Sequence, residues 1–277
     1  MSVETPQPVG ALLRDWRQRR RMSQLDLACE AEISTRHLSF LETGRAQPSR
    51  DMLLHLAEQL AVPLRERNLL LIAAGYAPVF PERALDDPAL QDARRAIGLV
   101  LASHEPYPAL AIDRHWTLQA ANNGVAPFLA QVSPVLLQPP VNVLRISLHP
   151  EGLARHIVNF ADWRAYVLTR LRHQIDLSGD PVLVELLAEL SAYPSGRAGS
   201  GPPVERAHIE AVVPLQITTP GGRLNFFSTT MVFGTPIDIT LAELAVESFF
   251  PADEATAEAV RNLVSTHPAE ASGRWWS

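Results

Sequence analysis

Cysteine is nearly absent from this chain and lysine is wholly absent. The lone cysteine, Cys29, sits at a helical position with apolar neighbours, so neither a disulfide framework nor a cysteine-based metal site can be built, and a reducing cytoplasm is the expected compartment. No apolar run approaches the roughly 18 residues of a membrane span, and the N-terminus lacks the apolar stretch of a secretory leader, so neither insertion nor export is expected. The nine histidines contain no HxH, HExxH or His/Cys cluster, and His149 and His156 stand seven apart, so no metal site is expected. A phosphate-cradling glycine loop and a nucleophile elbow are also missing; the "GSG" around Ser200 has no strand before it. Asp176, Asp180, Glu185 and Glu189 read as solvated helix faces. The chain is not expected to be an enzyme.

What is present is apolar bulk and uneven charge. A hydrophobic content of 47% over 277 residues is enough for two cores of ordinary size. The net charge of −6 argues against nucleic acid as a partner, yet it is not spread evenly. Residues 1–80 hold 10 arginines against 9 acids, whereas residues 81–277 hold 14 against 21. Such asymmetry predicts segments with different partners. The densest basic run is Arg17, Arg19, Arg20 and Arg21.

The first eighty residues read as five short helices. Leu12, Leu13 and Trp16 mark the first, over about 9–20. Ser23, Ser34 and Ser49 are placed to cap the second, third and fourth, and Gly44 to stop the third. A fifth follows Val62-Pro63 and runs to about Ala74. Within "QLDLACEAEISTRHLSFLE" the apolar positions and the small Ala28 give the packing pattern of a helix-turn-helix. Its corner favours glycine because the backbone there tends to positive φ; Glu32 stands there instead, at a cost of about 1 kcal/mol.

In such units the first turn of the second helix points at base edges in the major groove. Ser34, Thr35, Arg36 and His37, polar residues that no core requires, are the expected readers. Arg36 can fork onto guanine, and Thr35 can donate to a base or touch a thymine methyl. Ser34 and Gln24 are placed to meet phosphate, with Arg17, Arg21, Arg45 and Arg50 expected to flank the groove as positioning contacts.

"SQLDLACEAEISTRHLSFLETGRAQPS" resembles the xenobiotic-response-element-type, lambda-repressor-like helix-turn-helix family, and the string through "PLRERNLLLIAAGYAP" is similar to the subgroup joined to an MmyB-like ligand-binding domain. That resemblance implies a buried ion pair between Arg17 and Glu42, whose disruption would cost about 3 to 5 kcal/mol.

Beyond the proline-bearing "GYAPVFPERALDDPAL", a helix is expected over about 89–104. "PALAID" and "WTLQAAN" then read as a hairpin turning at Arg114-His115. Two amphipathic helices parted by Gly179-Asp180-Pro181 come next, followed by the loop "SGRAGSGPP" and three strands within residues 212–250. The result expected is a five-stranded antiparallel sheet with helices on one side, similar in order to a PAS-like sensor domain. "HPEGLARHIVNFADWR" and "FFSTTMVFGTPIDITLAELAVESFFPAD" resemble the MmyB-like ligand-binding domain. This likeness implies a transcription regulator with a small-molecule pocket between sheet and helices.

The expected apolar lining is Leu110, Ile112, Leu118, Phe128, Leu144, Ile157, Phe160, Trp163, Phe226, Met231 and Phe233. It favours a hydrophobic or amphipathic ligand such as a fatty acid. Arg145, His149, Arg155 and Asn122 are the candidate donors to a carboxylate head. Apart from such a ligand no cofactor is expected. The overall expectation is a multidomain chain: an all-α five-helix DNA-binding domain over 1–78, a linker and connecting helix over 79–106, an α+β PAS-like domain over 107–266 and a tail over 267–277. Its expected partners are double-stranded DNA and a second copy of itself, with no membrane involved. Two alternatives remain at this point: a C-terminal domain that only docks another protein or dimerises, and one that acts on a lipid-like substrate.

Overall fold

The computed structural model describes residues 7–194 and 213–265, together with the backbone of 274–275. The loop expected at 195–203 lies outside the described residues. The chain divides into two compact units, one built around the first 83 residues and the other around a sheet.

The N-terminal unit contains the five expected helices, α1 (Val9–Arg19), α2 (Gln24–Glu30), α3 (Thr35–Glu42), α4 (Arg50–Gln59) and α5 (Leu64–Ala73). Their starts follow from side-chain chemistry: the hydroxyls of Ser23, Ser34 and Ser49 accept the backbone N–H groups of Asp26, His37 and Met52. Ser23 completes a capping box, because Asp26 reaches back to its N–H. Gly44, at φ 72°, ends α3 in the left-handed region. Glu32 occupies the corner between α2 and α3 at φ 53°, the expected departure from glycine. Leu13, Leu27, Leu38, Leu41, Leu56 and Leu60 are fully buried and join the helices into one core. At Gly10 helix α1 lies so close to α3 that a β-carbon would collide with the carbonyl oxygen of Leu41 and lie 2.8 Å from that of Glu42. Cys29 is exposed on α2.

The later elements, in order, are α6 (Gln91–Ser103), β1 (Ala109–Ile112), β2 (Leu118–Ala121), α7 (Ala126–Leu129), α8 (Val143–Leu148), α9 (Phe160–Ser178), α10 (Pro181–Ala192), β3 (Leu215–Thr219), β4 (Gly222–Val232), α11 (Ile239–Ala242), β5 (Ala245–Pro251), α12 (Glu254–Ser265) and β6 (Arg274–Trp275). The sheet is antiparallel throughout, in the order β3-β4-β5-β1-β2-β6. It comprises the five expected strands and a two-residue sixth at one edge.

Side chains alternate across this sheet and divide its cores. Ala109, Ala111 and Val246 face α6, which contributes Ile97 and Leu101. Ile217, Leu224 and Phe226 face the other way, toward Phe128 of α7 and Val260 of α12. Helices therefore cover both faces, which corrects the expectation of helices on one side. The reason lies in β1, whose two sides are both apolar, a pattern that demands cover above and below.

Candidate nucleic-acid interface and effector cavity

The tip of α3 is presented outward. Ser34, Thr35 and Arg36 are exposed and His37 is half-buried, whereas Leu38 and Leu41 on the inner face hold the helix to the core. Ser34 Oγ accepts from the His37 N–H at 3.1 Å, which leaves its hydroxyl hydrogen free to donate outward. The guanidinium carbons of Arg36 and Arg45 lie 5.3 and 5.9 Å from the centre of the Phe40 ring, so both cations rest on one aromatic platform. Arg21, Arg45 and Arg50 are exposed. These residues make a cationic rim around a polar helix tip that carries unpaired N–H groups and the positive end of the helix dipole.

Two of the expected contacts are engaged elsewhere. Arg17, expected to flank the groove, is buried: Nε and Nη2 donate to the two carboxylate oxygens of Glu42 at 2.6 and 2.8 Å, and Nη1 donates to the Met22 carbonyl at 2.8 Å. This corrects its assignment as a DNA contact and realises the ion pair that the family resemblance implied. Gln24, expected at phosphate, gives its amide N–H to Glu42 at 2.8 Å. Burial alone would raise the Glu42 carboxyl, but the hydrogen bonds from Arg17 and Gln24 outweigh it and hold the group below its ordinary range. Arg20 is also inward-tied, donating to the carbonyls of Leu60 and Ala61 at 2.8 and 2.9 Å.

In the C-terminal unit a cavity of about 120 Å³ lies between the sheet and helices α7, α8 and α9. Of the expected lining, Leu110, Leu118, Phe128, Leu144, Trp163 and Phe226 border it. Phe226 meets Phe128 and Phe249 edge-on, with ring centres 6.0 and 6.4 Å apart. The Trp163 indole N–H is satisfied by Ser147 Oγ at 2.8 Å.

The other expected residues are placed differently. Met231 and Phe233 lie an odd number of residues from Phe226 and so point away from the cavity: Met231 is exposed and Phe233 packs on the α6 side. Ile112 lies past an irregularity in the β1–β2 register, and Ile157 and Phe160 are buried without lining the cavity. The four expected head-group donors have other duties. Asn122 is buried as a bracket, accepting from the Ala109 N–H and donating to the carbonyls of Leu101 and Tyr107. Arg145 pairs with Glu189, Nη2 to Oε2 at 2.7 Å, and this contact raises its pKa. His149 packs edge-on against Tyr193 with ring centres 5.0 Å apart, and Arg155 donates to the Gln131 carbonyl. Burial pushes the Tyr193 hydroxyl up to about 12, helped by its hydrogen bond to Glu189.

The polar groups that do border the cavity went unsuspected in the sequence. They are Arg170 and Glu247, with Ser147 and Tyr166. Arg170 Nη1 donates to Glu247 Oε1 at 2.8 Å, its Nη2 donates to Thr230 Oγ1 at 2.8 Å, and its guanidinium lies 4.5 Å from the Trp116 ring centre. A signal for Arg170 was present: Trp163, Tyr166, Val167 and Arg170 follow the i, i+3, i+4, i+7 spacing that puts side chains on one helix face.

A family model described as the MmyB-like transcription regulator ligand binding domain matches residues 93–263, and one described as a helix-turn-helix domain matches residues 8–70. A comparison with curated proteins finds no match. Among the described residues no helix is long and apolar enough to cross a membrane.

Proposed function

Since the chain belongs to the MmyB-like transcription regulators, with a helix-turn-helix domain ahead of the ligand-binding domain, we propose that it reads operator DNA as a homodimer through α3 and tunes that binding to a small apolar or amphipathic molecule held in the C-terminal cavity. The observation that carries the DNA-reading half is the exposure of Thr35 and Arg36 at the start of a helix whose opposite face is fully buried. Arg36 addresses guanine through paired donors, Thr35 a neighbouring base, and Arg21, Arg45 and Arg50 the phosphates. One recognition helix spans about four base pairs, so useful specificity requires two half-sites about one helical turn apart, hence two copies of the chain.

The apolar lining of the cavity supports the other half. Its volume of about 120 Å³ is below the roughly 300 Å³ at which drug-sized sites begin, which favours a slender acyl chain, as in a fatty acid or one of its derivatives, over a bulky ring system. Such a ligand acts only through unequal affinity for the DNA-competent and incompetent arrangements, and a few kcal/mol of difference suffices.

The experiment is selection of bound duplexes from a random pool, followed by native mass spectrometry of the purified protein. A two-fold symmetric motif and a co-purifying apolar molecule are the expected results. Indifference to DNA at low salt would overturn the first half, and a cavity that takes up no apolar probe would overturn the second.

A further inference from the structure

Resting on the reading that the cavity holds an apolar or amphipathic molecule, we infer that its preferred occupant is uncharged: an apolar body with a neutral head, such as an amide or hydroxyl, docked on the Arg170–Glu247 pair. Glu247 is only 6% exposed on β5, an interior strand, where it stands opposite Leu110 of β1 and Thr230 of β4. Around it the cavity wall is aliphatic and aromatic, and Ser147 already accepts the Trp163 N–H. Glu247 loses its solvation there while the Arg170 side chain keeps 27% of its surface exposed, so the attraction between them does little more than offset the burial of the carboxylate, and apolar side chains of similar volume would hold the sheet as well. What the pair supplies, and apolar side chains could not, is recognition. Glu247 offers acceptor oxygens, Arg170 offers donor N–H groups, and their charges sum to zero.

A head that both donates and accepts can bridge the two partners and leave the enclosure neutral. An ionised carboxylate cannot: beside Glu247 it sets a second negative charge against a single guanidinium and leaves one unit uncompensated among apolar walls. An ammonium meets the mirror problem at Arg170. Within the acyl-chain class, the wall therefore selects neutral derivatives over the ionised acid.

The test is calorimetric titration of the full chain, at neutral pH, with octanamide, 1-octanol and octanoate, probes matched in chain length. On the native protein octanamide and octanol should each bind at least about tenfold tighter than octanoate. Any apolar cavity disfavours an ionised head to some degree, so the variant Glu247→Gln carries the distinction. It leaves Arg170 unopposed, and octanoate should gain about tenfold while octanol shifts by less than about threefold. A second variant, Arg170→Met/Glu247→Leu, makes that wall apolar and should lose at least about tenfold in octanamide affinity; its result decides the matter should Glu247→Gln not fold. Octanoate binding the native chain as well as octanol, or failing to gain in Glu247→Gln, overturns the head-group inference and leaves the cavity reading intact. Failure of all the probes on the native chain overturns both.

Discussion

Removing one member of the Arg17–Glu42 pair should loosen the DNA-binding unit without altering what it reads. Glu42 and Arg17 are 7% and 8% exposed, joined by two hydrogen bonds, with Gln24 as a third donor to the carboxylate. Glu42→Ala strands a buried guanidinium and orphans the Gln24 amide, a loss of about 3 to 5 kcal/mol. That is a large part of the roughly 5 to 15 kcal/mol that holds an ordinary domain together. Local opening is best read by hydrogen exchange of the amides of α1 and α3 in the full chain, since a two-unit protein has no single unfolding energy. Arg17→Met/Glu42→Leu, which removes both charges and keeps the volume, should recover most of the loss. The pH dependence has a definite sign. Glu42 is held below its ordinary value, so its stabilising effect is complete above about pH 4.3 and fades as pH falls through the depressed folded-state value. A cost below about 1 kcal/mol for Glu42→Ala, or a double variant as unstable as the two single losses summed, would refute the reasoning.

Three further outcomes follow from the geometry. Arg36→Ala should cost about 1 to 3 kcal/mol and relax base preference at one position of the selected motif, whereas Arg50→Ala should weaken all duplexes alike and lower the salt slope by about 1. Gly10→Ala forces α1 off the carbonyls of Leu41 and Glu42, and should speed amide exchange in α1 and α3 while sparing the sheet; an unchanged exchange pattern would count against that close approach. Phe226→Ala removes a ring that is 1% exposed between two aromatic neighbours and should cost about 3 to 5 kcal/mol by chemical denaturation, less if a bound probe fills the space.

The N-terminal unit was legible because its signals are local. Serines at the caps of α2, α3 and α4, a glycine after α3 and leucines at helical spacing act within a few residues, and even Glu32 could be placed at the corner from the helix-turn-helix packing pattern. Assigning Arg17 to the groove failed because nothing local says which arginine of a basic run turns inward; the carboxylate that captures it is 25 residues away. In the C-terminal unit the strands and their turns were readable, but the cavity lining was sought among large apolar residues without regard to parity. Phe226 and Met231 are five apart and cannot share a face of one regular strand, a rule that would have excluded Met231 and Phe233 once Phe226 was accepted. Glu247 was beyond local reasoning, since its place on the cavity side depends on its register with Leu110, 137 residues earlier.

The aromatic platform under Arg36 and Arg45 bears on how the protein engages a duplex. Long arginine side chains ordinarily surrender about 0.5 to 1.5 kcal/mol of rotamer freedom each when a partner immobilises them. Resting against Phe40, these two should have less of that freedom left to lose, so association should be less entropically opposed than for arginines without such a contact. The shared ring also ties their fates: freeing one guanidinium changes the footing of the other, and the affinity losses from replacing Arg36 and Arg45 should not simply add.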